Sequence, residues 1–131
     1  VETIGDSMNE SNRYAGNLNS IASDVQKMND RWWQDPSTGL WKERNVGEML
    51  MLSTSELAEA MEGHRKNLMD DKLPQYKSFD VEVVDCMIRL LDIARLFKNP
   101  IQEIYESKME YNRTREDHTH TYRLSEHGKK Y

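Results

Sequence analysis

The chain has 131 residues, enough for one compact domain and too few for two comfortable ones. An apolar share of 37%, a charged share of 31% and a net charge of −5 argue against a general nucleic-acid surface, which needs a basic stripe, and suit a core completed by oligomerisation. One cysteine, Cys86, excludes an intramolecular disulfide, and no apolar run approaches the roughly 20 residues that span a bilayer.

At the N-terminus, Val1-Glu2-Thr3 lacks a basic-then-apolar targeting pattern, and the absent initiator Met points to processing or trimming. A soluble, cytoplasmic protein without a membrane or nucleic-acid partner is expected. Residues 8–32 carry Tyr14, Leu18, Ile21, Val25, Met28 and Trp32 at gaps alternating four and three, which places them on one face of a first helix. Ser7 followed by Glu10 makes a capping box at its start. Trp32 belongs to the apolar stripe and is expected in the core. Trp33, about 100° away around the helix, is the better platform for a nucleobase.

A turn at Asp35-Pro36-Ser37-Thr38-Gly39 follows, then Trp41. Asn45, with Glu48 three residues on, predicts a second helix running to about Asn67. The polar stretch around Asp70, Asp71 and Pro74 predicts a loop, and a third helix is expected from about Phe79 to Phe97. Asn99-Pro100 ends it and serves as N-cap and first-turn proline of a fourth, over roughly 101–115. These helices predict an all-α four-helix bundle over residues 1–115, followed by a polar arm, 116–131. The histidines of that arm, His118, His120 and His127, are expected in solvent.

The third helix is apolar around most of its circumference (Val81, Val83, Val84, Met87, Ile88, Leu90, Leu91, Ile93, Ala94 and Leu96), so burial on most sides is expected. Along it Glu82, Asp85, Arg89 and Asp92, spaced three, four and three, form one charged stripe. A buried carboxylate without a partner costs several kcal/mol, so each needs a counter-charge or a metal. Arg89 can pair along the helix with Asp85 or Asp92, and Arg89–Asp92 is the expected structural pair where a metal claims Asp85. On the second helix Glu56 and Glu59 continue the line of Met49 and Leu52, so that an apolar stripe turns acidic midway. Antiparallel packing of the two helices would set the acidic pairs opposite one another. Oxygen donors without His or Cys suit a hard cation, Mg²⁺ or Mn²⁺, better than zinc.

Glu56-Leu-Ala-Glu59, a gap of 22 residues, then Glu82-Val-Val-Asp85, resembles the paired ExxE and ExxD motif of the MazG-like all-α nucleoside triphosphate pyrophosphohydrolases. The text from Glu56 to Arg65 and from Asp85 to Asp92 is similar to phage-encoded members, and Lys108-Met-Glu-Tyr-Asn112-Arg113-Thr-Arg115 resembles the family's downstream stretch. The likeness runs from about residue 30 to Gly128-Lys129-Lys130. Many members have a further Glu where this chain has Ser55, which bears on how many metals bind.

The resemblance implies Glu56, Glu59, Glu82 and Asp85 as metal ligands and catalytic residues, with Mg²⁺ as cofactor and Mn²⁺ as substitute. It implies attack of water at the α-phosphorus of a (deoxy)nucleoside triphosphate, releasing pyrophosphate and a monophosphate, with guanine as the favoured base. Glu56 is the choice for general base. It also implies a homo-oligomer, a dimer of dimers before a dimer, in the cytoplasm (the host's, if phage-encoded). Lys108, Asn112 and Arg115, at i, i+4 and i+7 on the fourth helix, suit triphosphate oxygens or a sugar hydroxyl. Arg65 and Lys66 are further candidates for the distal phosphates. Two rival readings are a di-iron bundle, which would need Glu-x-x-His pairs that the chain lacks, and a non-catalytic helical interaction module.

Overall fold

Asn45 starts a long helix because its side chain accepts the Glu48 backbone N–H at 2.9 Å. In the computed structural model, which describes residues 16–115, 117 and 119–129, every regular element is helical. In chain order they are α1 (Leu18–Asn29), α2 (Val46–Arg65), α3 (Ser78–Ile93), α4 (Ile101–Thr114) and α5 (His120–Arg123), with 3-10 turns at Asp30–Trp33 and Ala94–Leu96. The Ser7–Glu10 capping box, Tyr14, His118 and Lys130 lie outside the described residues. Contacts divide the chain into two units: Asn19–Lys98, and Val1–Leu18 with Asn99–Tyr131. That cut differs from the one composition drew at residue 115. No described helix is long and apolar enough to cross a membrane.

In the first unit α2 and α3 pack antiparallel. α2 ends on Asn67 in the left-handed region (φ 51°), with Leu68 N–H donating to Gly63 O at 2.9 Å and Asn67 N–H to His64 O at 3.3 Å. Asp70 Oδ2 then accepts the Lys72 and Leu73 N–H groups at 3.0 and 2.8 Å and turns the loop. α3 begins against Gly63, where an added Cβ would stand 2.6 Å from Ser78 Oγ and 2.8 Å from Ser78 Cβ. Glycine permits that approach, and it fixes how closely the two helices run.

Trp33, Met49 and Ile93 form the core cluster at the far end of the pair. Here the structure corrects the sequence reading of the tryptophans. Trp33 is 5% exposed and Trp32 59%. α1 stops at Asn29 and a 3-10 turn of about 3.0 residues per turn follows, so the phase of the stripe does not carry through to residue 32. The rest of the stripe also departs from expectation: Ile21 and Met28 are exposed, whereas Ala22 is buried and Gln26 Nε2 donates to Leu91 O at 3.0 Å. The small and polar side of α1 faces inward.

α3 is buried on most sides only toward its end, at Leu91, Asp92, Ile93 and the following Ala94, whereas Val84, Met87 and Leu90 are exposed. It tightens into a 3-10 turn at Ala94 instead of running as α-helix to Phe97. In the other unit Pro100, not Asn99, is the N-cap of α4, and no side chain caps it. Leu18 N–H donates to Gln102 Oε1 at 2.7 Å. The polar arm contains one helical turn, α5, capped where Thr119 Oγ1 accepts the Tyr122 N–H at 3.2 Å. His120 and His127 are exposed, as expected.

Candidate metal centre and adjoining cavity

Glu56 and Glu59 stand one turn apart on α2, and the antiparallel pairing brings Glu82 of α3 across to them. One oxygen from each of Glu56, Glu59 and Glu82 lies within 4.8 Å of the others. Glu56 is buried, Glu82 half-buried and Glu59 exposed, so the group opens to solvent on one side. Asp85, one turn along from Glu82, is half-buried and stands outside this trio, on the wall of an adjoining cavity that Glu56 also lines. Three of the four expected ligands therefore converge and the fourth lies beside them.

The group carries more negative charge than its partners offset. Burial first, then a hydrogen bond with Glu56 and the charges of Glu59, Asp85 and Glu56, push Glu82 up to about 7. Burial, followed by the charges of Glu56 and Asp70, raises Asp85 against the opposing pull of Arg89 and Lys72. Glu56 goes the other way. Burial pulls it upward, but the hydrogen bond and charge of Arg89, with hydrogen bonds from Glu82 and Glu59, hold it below the ordinary range. The three oxygen donors lie within reach of one point and could hold a metal ion.

Arg89 corrects a second expectation. Its Nε donates to Glu56 Oε1 at 2.6 Å, across the helix pair, not to Asp92. Asp92, 3% exposed, takes its partners elsewhere. It accepts Trp33 Nε1–H at 3.1 Å and Arg95 Nε–H at 2.9 Å, and Arg44 stands 3.9 Å away. Arg95 also pairs with Asp30 at 3.0 Å and lies 4.5 Å from the Trp33 ring centre. The buried indole is thus a structural ring held between arginines, and its expected role as an open stacking surface does not stand. Arg44 and Arg95 were not singled out in the sequence. Arg95 could have been, as the i+3 partner of a buried aspartate.

The cavity, about 490 Å³, lies between these two charged groups. Its wall is mixed: Met49, Leu52 and Ile88 are apolar, Trp32 offers an exposed ring, and Arg44 and Arg89 bring positive charge. Ser55 is exposed and donates to Leu52 O at 2.6 Å within its own helix. Arg65 and Lys66 are exposed and pair with Glu62, at 3.9 and 2.5 Å.

Lys108, Asn112 and Arg115 belong to the other unit. Lys108 Nζ lies 4.8 Å from the Tyr111 ring centre. Arg115 stands 5.5 Å from the same ring and donates through Nε to Asp117 at 2.7 Å. Asn112 Oδ1 is shielded from solvent and accepts no hydrogen bond among the described residues. Comparison of the chain with known protein families, with curated proteins and with solved structures found no match.

Proposed function

We propose that the chain is a divalent-metal-dependent nucleoside triphosphate pyrophosphohydrolase of the MazG-like kind, converting a (deoxy)nucleoside triphosphate, with dGTP favoured, to monophosphate and pyrophosphate. The observation that carries the reading is the convergence of Glu56, Glu59 and Glu82 beside a cavity with an exposed indole and two arginines. When bound, Mg²⁺, or Mn²⁺ in its place, supplies Lewis acidity that neutralises phosphate charge and acidifies water at the α-phosphorus. Glu56, Glu59 and Glu82 would hold it, with Asp85 from the cavity wall.

The chain's own groups do the rest. Glu56, the choice for general base, has one oxygen engaged by Arg89 Nε at 2.6 Å in the metal-free protein. Trp32 takes the stacking role first given to Trp33, and Met49, Leu52 and Ile88 exclude water around the base. By the resemblance, Lys108 and Arg115 bind phosphate oxygens and Asn112 a sugar hydroxyl.

The assembly we propose is a four-helix-bundle homo-oligomer, a dimer of dimers before a dimer, acting in the cytoplasm without nucleic acid or membrane. Support comes from the exposed Leu50, Leu57 and Met61 along one face of α2, and from Val84, Met87 and Leu90 on α3. The same faces favour the second reading, a non-catalytic helical interaction module. A panel of all eight common (d)NTPs with Mg²⁺ separates the two. Release of pyrophosphate and monophosphate is expected. No turnover of any substrate with Mg²⁺ or Mn²⁺ leaves the interaction module, and orthophosphate as the first product sinks the pyrophosphohydrolase assignment.

A further inference from the structure

Arg89 is a cation already seated on one of the candidate ligands. Its Nε donates to Glu56 Oε1 at 2.6 Å, and Glu56 is one of the three carboxylates whose oxygens converge within 4.8 Å. The guanidinium therefore engages one carboxylate of the set open to a divalent ion. The two partners differ in freedom: the Arg89 side chain is 39% exposed and that of Glu56 11%. Both line the cavity, which gives the more exposed arginine side chain space to turn into. A guanidinium and a divalent ion on one carboxylate would repel each other at close range, so full occupancy of Glu56 by one weakens the other's hold.

Resting on the reading that Glu56, Glu59 and Glu82 hold a divalent cation, we propose that Arg89 is a place-holding counter-charge. The cation displaces it from Glu56, and it then turns into the cavity to bind an anionic oxygen of the nucleotide. In the free protein Arg89 offsets part of the surplus charge and keeps the helix pair together. When the ion arrives alone, the guanidinium gives up a carboxylate and gains only water. When it arrives with a polyphosphate, one anionic partner is exchanged for another. Metal and nucleotide consequently bind with positive coupling. Arg89 is a positioning residue for the metal and a contact for the substrate, two roles that one substitution separates by sign.

The test uses the whole chain, wild type and R89Q, with R89M as a second neutral variant and R89K as the charge-retaining control. Circular dichroism establishes that each is folded. Two isotherms are measured for each: Mn²⁺ alone, and the Mn²⁺ complex of α,β-imido-dGTP. The neutral variants should bind Mn²⁺ alone on the order of tenfold more tightly than wild type, and the Mn²⁺–nucleotide complex more weakly by a similar factor. R89K should stay near wild type in both. A merely structural arginine would weaken or leave unchanged the binding of Mn²⁺ alone. That outcome in R89Q or R89M overturns the proposal while the metal-site reading stands. Equal affinity of all four proteins for the nucleotide complex overturns the second half of it. Failure of wild type to bind Mn²⁺ either way overturns the metal site itself, and the place-holder with it.

Discussion

Two groups of charge, one buried and one partly open to solvent, sit along the α2–α3 pair and are solved in opposite ways. At the C-terminal end of α3 Asp92 accepts hydrogen bonds from the Trp33 indole and the Arg95 guanidinium and has Arg44 nearby. Two turns earlier, Glu56, Glu59, Glu82 and Asp85 gather with Arg89 as the arginine that reaches them, and Glu82 responds by holding its proton. A carboxylate fully met by donors is a strut: its charge is spent on the protein. A group with more carboxylates than counter-charges keeps an electrostatic demand that an outside cation can meet. The difference separates scaffold from candidate site without reference to any relative.

The largest effect that could break this comparison is at Asp92. Asp92→Ala leaves the buried Trp33 N–H without its acceptor and Arg95 with Asp30 as its remaining carboxylate, and should lower stability by about 3 kcal/mol in urea unfolding. A loss within the range of a surface substitution would show that Asp92 is not the strut described. Glu59→Gln is the counterpart. It removes one charge from the surplus and should cost on the order of 10²-fold in kcat/KM, or about 2.7 kcal/mol, while metal-free stability holds or rises. Near-full activity in both Glu59→Gln and Asp85→Asn would end the metal assignment.

Next in size is Gly63→Ala. The added Cβ meets Ser78 Oγ and Cβ at 2.6 and 2.8 Å, so α3 must shift from α2. Stability should fall by about 1 to 3 kcal/mol. Because Glu82 rides on α3, Mn²⁺ affinity should fall with it. A loss of stability without a change in Mn²⁺ binding would mean that the glycine contact does not set the spacing of the acidic trio.

The helices were largely legible in the sequence, because capping and apolar period are local. Asn45 with Glu48 placed the start of α2, and the apolar-to-acidic change along Met49, Leu52, Glu56 and Glu59 placed the acidic trio's half of the site. What failed were the inferences that needed the phase of α1 past Asn29 or the partner of Arg89. The 3-10 turn at Asp30–Trp33 exchanged the two tryptophans, since a small change of pitch rotates everything after it. Arg89 was paired along its own helix because i+3 neighbours are visible in one dimension. Glu56, its actual partner, is 33 residues away and becomes adjacent only once α2 and α3 pack.

The smallest effect, and the sharpest for the surplus-charge half of the comparison, is the pH dependence set by Glu82. Its pKa stands near 7 in the folded chain against an ordinary value of 4.5, with burial the first cause and neighbouring carboxylates the rest. Between those values the native protein keeps a proton that the unfolded chain has released. The native state therefore loses relative stability as pH rises through that window, and the loss is complete above the folded pKa. Asp85, also raised, adds in the same direction at lower pH. Glu56, held below its ordinary 4.5 chiefly by Arg89, has the opposite sign, but its contribution falls near and below that value, at the foot of the window. The measurement is urea unfolding in EDTA from about pH 5 to pH 8. Wild type should lose about 1 kcal/mol attributable to Glu82, less than a fully buried group would, because solvent screens a half-buried carboxyl. Glu82→Gln cannot titrate, so its curve should lie flatter and cross above wild type near neutrality. Parallel curves would mean that Glu82 is ionised like any surface glutamate and that the trio carries no unmet charge for a cation to satisfy.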